Sequence, residues 1–137
     1  MKHVLAVLVS VFVFVPCVFA GSIPMQPGKW RVTVRMQIAG APAIPPRTVN
    51  VCYSKGDLNE KFGYSKDAAA RKLCRREYFR LSGSTVSWKD ACTNGMETTG
   101  EMTLSSGGTS YVMKTISKVK GRSTVMNSAG KRIGNCQ

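Results

Sequence analysis

The chain has 137 residues, 20 of them Lys or Arg against seven Asp or Glu, for a formal net charge of +13. The length makes one domain the expectation and excludes a large multidomain enzyme. The charge excludes cationic polymers as partners and favours anionic ones.

The chain opens MKHVLAVLVSVFVFVPCVFAGS, with a positive start at Lys2, an apolar run over residues 4–15, and small residues at Val18 and Ala20. This is the layout of a secretory signal peptide over residues 1–20, cut between Ala20 and Gly21. Two rivals fit less well. A membrane anchor needs about 20 apolar residues, and Pro16 ends this run early. A lipoprotein cut before Cys17 requires Gly or Ala ahead of it, where the chain has Pro16. Removing the leader leaves residues 21–137, a single domain of net charge +12 with no further apolar segment able to span a membrane. Its expected location is the periplasm or the exterior. The leader also takes away His3, the only histidine, and Cys17. A chain without imidazole cannot run Ser-His or Cys-His nucleophilic catalysis, and it lacks the commonest ligand for zinc and copper.

The domain begins with PGKWRVTVRMQI. Trp30, Val32, Val34, Met36 and Ile38 alternate with Lys29, Arg31, Thr33, Arg35 and Gln37, the period of two expected of a half-buried strand. The proline-rich residues 39–46 cannot continue it and read as a loop. RTVNVCY is a second strand ending near Tyr53. The alternation then stops. Ser54 and Ser65 are candidate N-caps, and SKDAAARKL reads as a short helix with Asp67 early and Arg71 and Lys72 late, as the helix dipole favours.

The stretch CRREYFRLSGSTVSWKDAC places Cys74 and Cys92 at equal distances from Gly83. A hairpin turning at Ser82-Gly83-Ser84 sets Cys74 against Cys92, Tyr78 against Trp88, Arg76 against Asp90 and Glu77 against Lys89. Such cross-strand pairs contribute about 0.2–1 kcal/mol each, and a one-residue slip would put the cysteines on opposite faces. A three-residue loop prefers Gly at its last position, whereas Gly83 is central, so a bulge or a longer loop is needed to keep this register. The remaining sequence reads as a hairpin turning in residues 105–108, a turn near Lys120-Gly121, and two closing segments, RSTVMNSA and GKRIGNCQ. The expected fold is therefore all-β. It is an antiparallel meander of six or seven strands, either a curved open sheet or a small barrel, with one short helix.

Four cysteines remain after the leader: Cys52, Cys74, Cys92 and Cys136. An even number in a small exported protein reads as two disulfides. Of the three possible connectivities, the hairpin favours Cys74–Cys92, which leaves Cys52–Cys136. Chain-entropy estimates are about 3 and about 4.5 kcal/mol for the short and long loops.

Charge supplies the one candidate interaction site. Lys29, Arg31 and Arg35 share the polar face of the first strand, where alternate residues stand about 6.7 Å apart, close to the spacing of successive phosphates. Arg75 and Arg80 add to them from the hairpin, with Tyr78, Phe79 and Trp88 nearby. These residues make a candidate polyanion surface, against the plainer reading of a solvated face. The methionines Met25, Met36, Met96, Met102, Met113 and Met126 would suit copper(I), but they are dispersed and read as core filler. Asp57, Glu60 and Asp67 lack a calcium-loop pattern, Glu97 and Glu101 are isolated, and SSGG lacks the Lys of a phosphate loop. No metal or cofactor is expected.

Several stretches carry a resemblance. Pro27-Gly28-Lys29-Trp30, the proline-rich loop before TVNVC, SGSTVSW with Cys92, GEMTLSSGGTSY and the ending GKRIGNC occur in an order that resembles a bacterial family of small secreted proteins, catalogued as domain of unknown function 3617. The resemblance implies an exported envelope protein and carries no functional residue with it. The functional expectation is a non-enzymatic binding or accessory domain that engages an anionic envelope polymer or lipid through its basic face. The alternative is an inhibitor of another exported protein.

Overall fold

The computed structural model describes residues 21–64 and 68–137. The leader read at residues 1–20, the Ser65 cap and Asp67 lie outside the described residues. Seven strands form one antiparallel sheet: β1 (Gly28–Ile38), β2 (Arg47–Tyr53), β3 (Cys74–Ser82), β4 (Thr85–Cys92), β5 (Glu97–Leu104), β6 (Ser110–Val119) and β7 (Arg122–Gly134). A 3-10 turn at Lys55–Asp57 and a short helix, α1 (Ala68–Leu73), lie between β2 and β3. The expected all-β architecture holds, and of the two alternatives the sheet is open. Its order is β2-β1-β7-β6-β5-β4-β3. Strands β3 to β7 meander, and the β1–β2 hairpin docks against the far side of β7.

This order puts β2 and β3, adjacent in sequence, at opposite edges. The connection between them therefore crosses one face of the sheet, and its described residues supply part of the core. Leu58 and Phe62 of the crossing are buried with Trp30, Val32, Val86, Trp88, Met102, Leu104 and Tyr111 of the sheet. Ile23 and Met25 of the N-terminal segment complete the cluster, held by backbone bonds from Ile23 to Leu58 at 3.0 Å and from Gln26 to Gly108 at 2.9 Å. Cover is uneven. Along β1 the inward side chains run from buried Trp30 and Val32 through half-buried Val34 to exposed Met36, because the two covering segments reach only part of the face. Two methionines, Met25 and Met102, are core residues.

Large rings fit because glycines lie beneath them. A Cβ on Gly100 would fall 2.1 Å from the Trp88 ring, and one on Gly130 2.3 Å from the Tyr111 ring.

The β3–β4 hairpin differs in detail from the expected register. Ser82 pairs with Thr85, so the loop is the two residues Gly83-Ser84. Gly83 takes φ +58°, the first position of a II′ turn, where glycine is favoured. This shorter loop makes Phe79, not Tyr78, the partner of Trp88, and sets Tyr78 against Lys89. A bulge between Arg76 and Tyr78 absorbs the extra residue and restores Arg76 opposite Asp90 and Cys74 opposite Cys92. Glu77, the bulged residue, still reaches Lys89 at 3.0 Å.

Both disulfides are present, Cys74–Cys92 with a sequence separation of 18 and Cys52–Cys136 with one of 84. Each ties down one edge strand. The second passes beyond β1, which lies between β2 and β7.

Two predictions test this packing. Gly100→Ala forces a methyl group into the Trp88 ring and should cost about 1–3 kcal/mol, read from urea unfolding. Asp90→Ala leaves the Arg76 guanidinium buried without its carboxylate; their side chains are 12% and 10% exposed. A loss of about 3–5 kcal/mol is expected in the same assay.

Candidate functional site

Strand alternation sorts the charged side chains. On the outward face, Lys29, Arg31 and Arg35 of β1 stand beside Lys131 of β7, and Lys114 of β6 lies in the same row as Arg35. The outward positions of β2, β1, β7 and β6 carry no carboxylate. The outward acids, Glu77, Glu97 and Glu101, lie on β3 and β5, with Glu101 opposite Lys114 and Glu97 opposite Lys118 at the boundary. Arg31 and Lys131 are direct cross-strand partners and both are exposed. Like charges so placed destabilise a sheet.

The predicted basic residues are not all brought together. Arg75 and Arg80 lie on β3, five strand steps from β1, about 24 Å at about 4.8 Å per step. Arg75 stands 3.6 Å from Glu77, and the Arg80 guanidinium lies 5.0 Å from the Tyr78 ring centroid. Lys89 bridges Glu77 at 3.0 Å and Glu97 at 3.2 Å, and these contacts hold its ammonium above the usual pKa. The cationic surface therefore comprises the β1–β7–β6 side, with Lys131 and Lys114 in place of Arg75 and Arg80. No local sequence pattern reports that β7 lies beside β1.

The opposite face holds a second feature. Between the crossing segment and the sheet lies a cleft of about 400 Å³. Its walls include Tyr53, Phe62, Tyr64 and Trp88, its floor Thr98, Thr115, Met113 and Met126, and its exposed rim Lys61 and Arg71. Phe62 meets Trp88 edge to face at 6.3 Å and Tyr53 at 5.7 Å. Arg76 anchors this wall. Its guanidinium donates to both oxygens of Asp90 at 2.7 and 2.9 Å, to the Phe62 carbonyl at 2.9 Å and to the Glu60 carbonyl, and it stacks 4.4 Å from the Tyr64 ring centroid. Burial and the Asp90 charge hold the Tyr64 hydroxyl above its usual pKa. Tyr111 is raised further, first by burial and then by its contact with the Tyr53 hydroxyl at 3.5 Å. Asp57 is occupied at the 3-10 turn, where it accepts from the Ser54 backbone at 2.8 Å and hydroxyl at 2.7 Å.

An open antiparallel sheet, crossed on one face by a clamped connection and stapled at each edge strand, defines a disulfide-bonded β scaffold. Among the described residues no group of His, Cys, Asp and Glu could hold a metal, and no helix is long and apolar enough to cross a membrane. The chain belongs to the family described as protein of unknown function DUF3617, whose model matches residues 25–136. No curated protein matches it. The motifs that carry the resemblance meet in space. Arg132 of the closing GKRIGNC donates to the Pro27 carbonyl at 3.0 Å and to Asn135 at 2.6 Å, and the Trp30 indole donates to the Gln26 carbonyl at 3.1 Å. The Arg132–Pro27 bond joins the two ends of the domain.

The raised tyrosines set the direction of an alkaline effect. A group whose pKa is higher folded than unfolded contributes stability that is whole below its unfolded value and lost as pH rises above it. For Tyr111 and Tyr64 that value is 10.0. Stability should fall above about pH 10. Tyr111→Phe, which keeps the ring, should flatten that fall relative to the parent chain in denaturant titrations across this range.

Proposed function

We propose that the chain is exported, cut between Ala20 and Gly21, and serves without catalysis as a binding domain that engages an anionic envelope polymer through the outer face of β1, β7 and β6. The observation that carries this reading is the exposed Arg31–Lys131 pair, flanked by Lys29, Arg35 and Lys114 with no outward carboxylate on those strands. A purely solvated face gains nothing from opposed cations. A phosphorylated or sulfated polymer relieves their repulsion and is attracted at long range. Two disulfides suit an oxidising compartment. The non-catalytic reading is supported by the engagement of Asp90 with Arg76 and by a chain whose only histidine lies in the leader.

The test is binding of the disulfide-bonded protein to lipopolysaccharide and to heparin across a salt series. Affinity is expected to fall about tenfold or more between about 50 and 200 mM salt, since each neutralised phosphate releases counterions. Arg31→Glu with Lys131→Glu should weaken binding at least as much at fixed salt, while Arg75→Glu with Arg80→Glu should change it little. Equal losses from the two pairs, or binding indifferent to salt, would refute a site on β1, β7 and β6.

A further inference from the structure

The face opposite the basic surface carries a separate site. We infer that the cleft between the crossing segment and the sheet binds a single-chain anionic amphiphile, such as a medium-chain fatty carboxylate, with its apolar chain between Trp88 and the Met113–Met126 floor and its head at Lys61 and Arg71.

The volume of about 400 Å³ lies in the range of small-molecule sites, which are mostly apolar with a few placed polar groups. The wall is preformed. Gly100 lies directly beneath the Trp88 ring and Phe62 meets its side, so the indole has no room to collapse into the space. Arg76 fixes the crossing segment above it through the Phe62 carbonyl. The floor is adaptable, because methionine side chains are unbranched and flexible, which suits a linear chain better than a rigid ring system. Met113 is half-buried against the core, and Met126 is likewise only half covered.

Charge selects the head. Lys61 and Arg71 line the cleft from exposed positions. Of the two carboxylates in the lining, Asp90 is balanced by Arg76 at 2.7 Å, while Asp57 keeps its charge and accepts from Ser54 at 2.7 Å. Lys61 and Arg71 outnumber Asp57, so the rim keeps one net positive charge. Thr98 and Thr115 offer short polar groups at the floor, and the Thr98 hydroxyl is paired with Ser117 at 3.0 Å. This site lies on the other side of the sheet from Arg31 and Lys131, so it stands or falls independently of the polyanion reading.

The experiment is an NMR titration of the isotope-labelled, disulfide-bonded protein with dodecanoate below its micelle-forming concentration, beside dodecanol and dodecyltrimethylammonium. Saturable one-site shifts are expected at the Trp88 indole N–H and the Thr98 and Thr115 amides, with dodecanoate bound about tenfold more tightly than either comparator. Lys61→Glu with Arg71→Glu, both surface changes, should erase that preference, and Thr115→Phe should block the chain. Arg31→Glu with Lys131→Glu should leave dodecanoate affinity unchanged. Shifts confined to the outer face, no saturable binding, or equal affinity for the cationic amphiphile would overturn the assignment.

Discussion

The architecture depends on one guanidinium. Arg76 sits on an edge strand and spends its donors in three directions: on the Asp90 carboxylate of the neighbouring strand, and on the Phe62 and Glu60 carbonyls of the crossing segment. Its flat face lies against Tyr64, with Phe79 and Trp88 each 5.7 Å away. A lysine could not replace it, because the fork-shaped pairing with a carboxylate and the ring stacking both need a planar group. The crossing segment has little regular structure of its own. Without this anchor the Glu60 and Phe62 carbonyls would lose their partner and Phe62 its fixed position over the sheet, whereas Leu58 is held separately by the Ile23 backbone. The wall of the cleft, and the Phe62 part of the core, follow from that one contact.

The two sheet faces divide the molecule's physical chemistry. One carries nearly all of the large apolar side chains, with glycines at Gly100 and Gly130 making space for the biggest rings. The other mixes threonines, Ala129 and cations with a few aliphatic side chains, among them exposed Val112. The Thr33 and Thr48 hydroxyls bond across β1 and β2 at 3.0 Å. A sheet built this way needs cover on one side only, and two short segments supply it incompletely. The cleft is the gap left between the crossing segment and the sheet beneath it.

How much of this was legible in the sequence varied with the range of the interaction. Alternation from Lys29 to Ile38 identified a strand and its polar face, and the equal spacing about Gly83 identified a hairpin and its disulfide, because both signals are local. The bulge at Glu77 was legible only as a need: a central glycine in a three-residue loop was the wrong turn chemistry, and the structure meets it with a two-residue II′ turn. The docking of β7 beside β1 had no signal at all. It depends on contacts between Trp30 and residues near Arg132, about as far apart as the domain allows. That adjacency decides which cations share a surface, so Lys131 was missed and Arg75 and Arg80 were grouped with strands they do not approach. The cleft was equally hidden, since its walls come from a segment with no periodicity.

The position of β7 between β1 and β6 has a consequence for how the polypeptide reaches its final state. Ribosomes make the first hairpin early, yet its principal neighbour is the last strand to appear. The ribbon closed by Cys74–Cys92 can form as soon as it emerges, whereas Cys52 must wait for Cys136, 84 residues later. Pairings this distant are slow to form and expose unpaired edges meanwhile. A chain lacking β7 would leave β1 and β6 without the strand that joins them, and the rings packed along them bare to proteases. The long-range bridge therefore acts as a check on assembly, closing only on molecules in which β7 has been made and has brought Cys136 to Cys52.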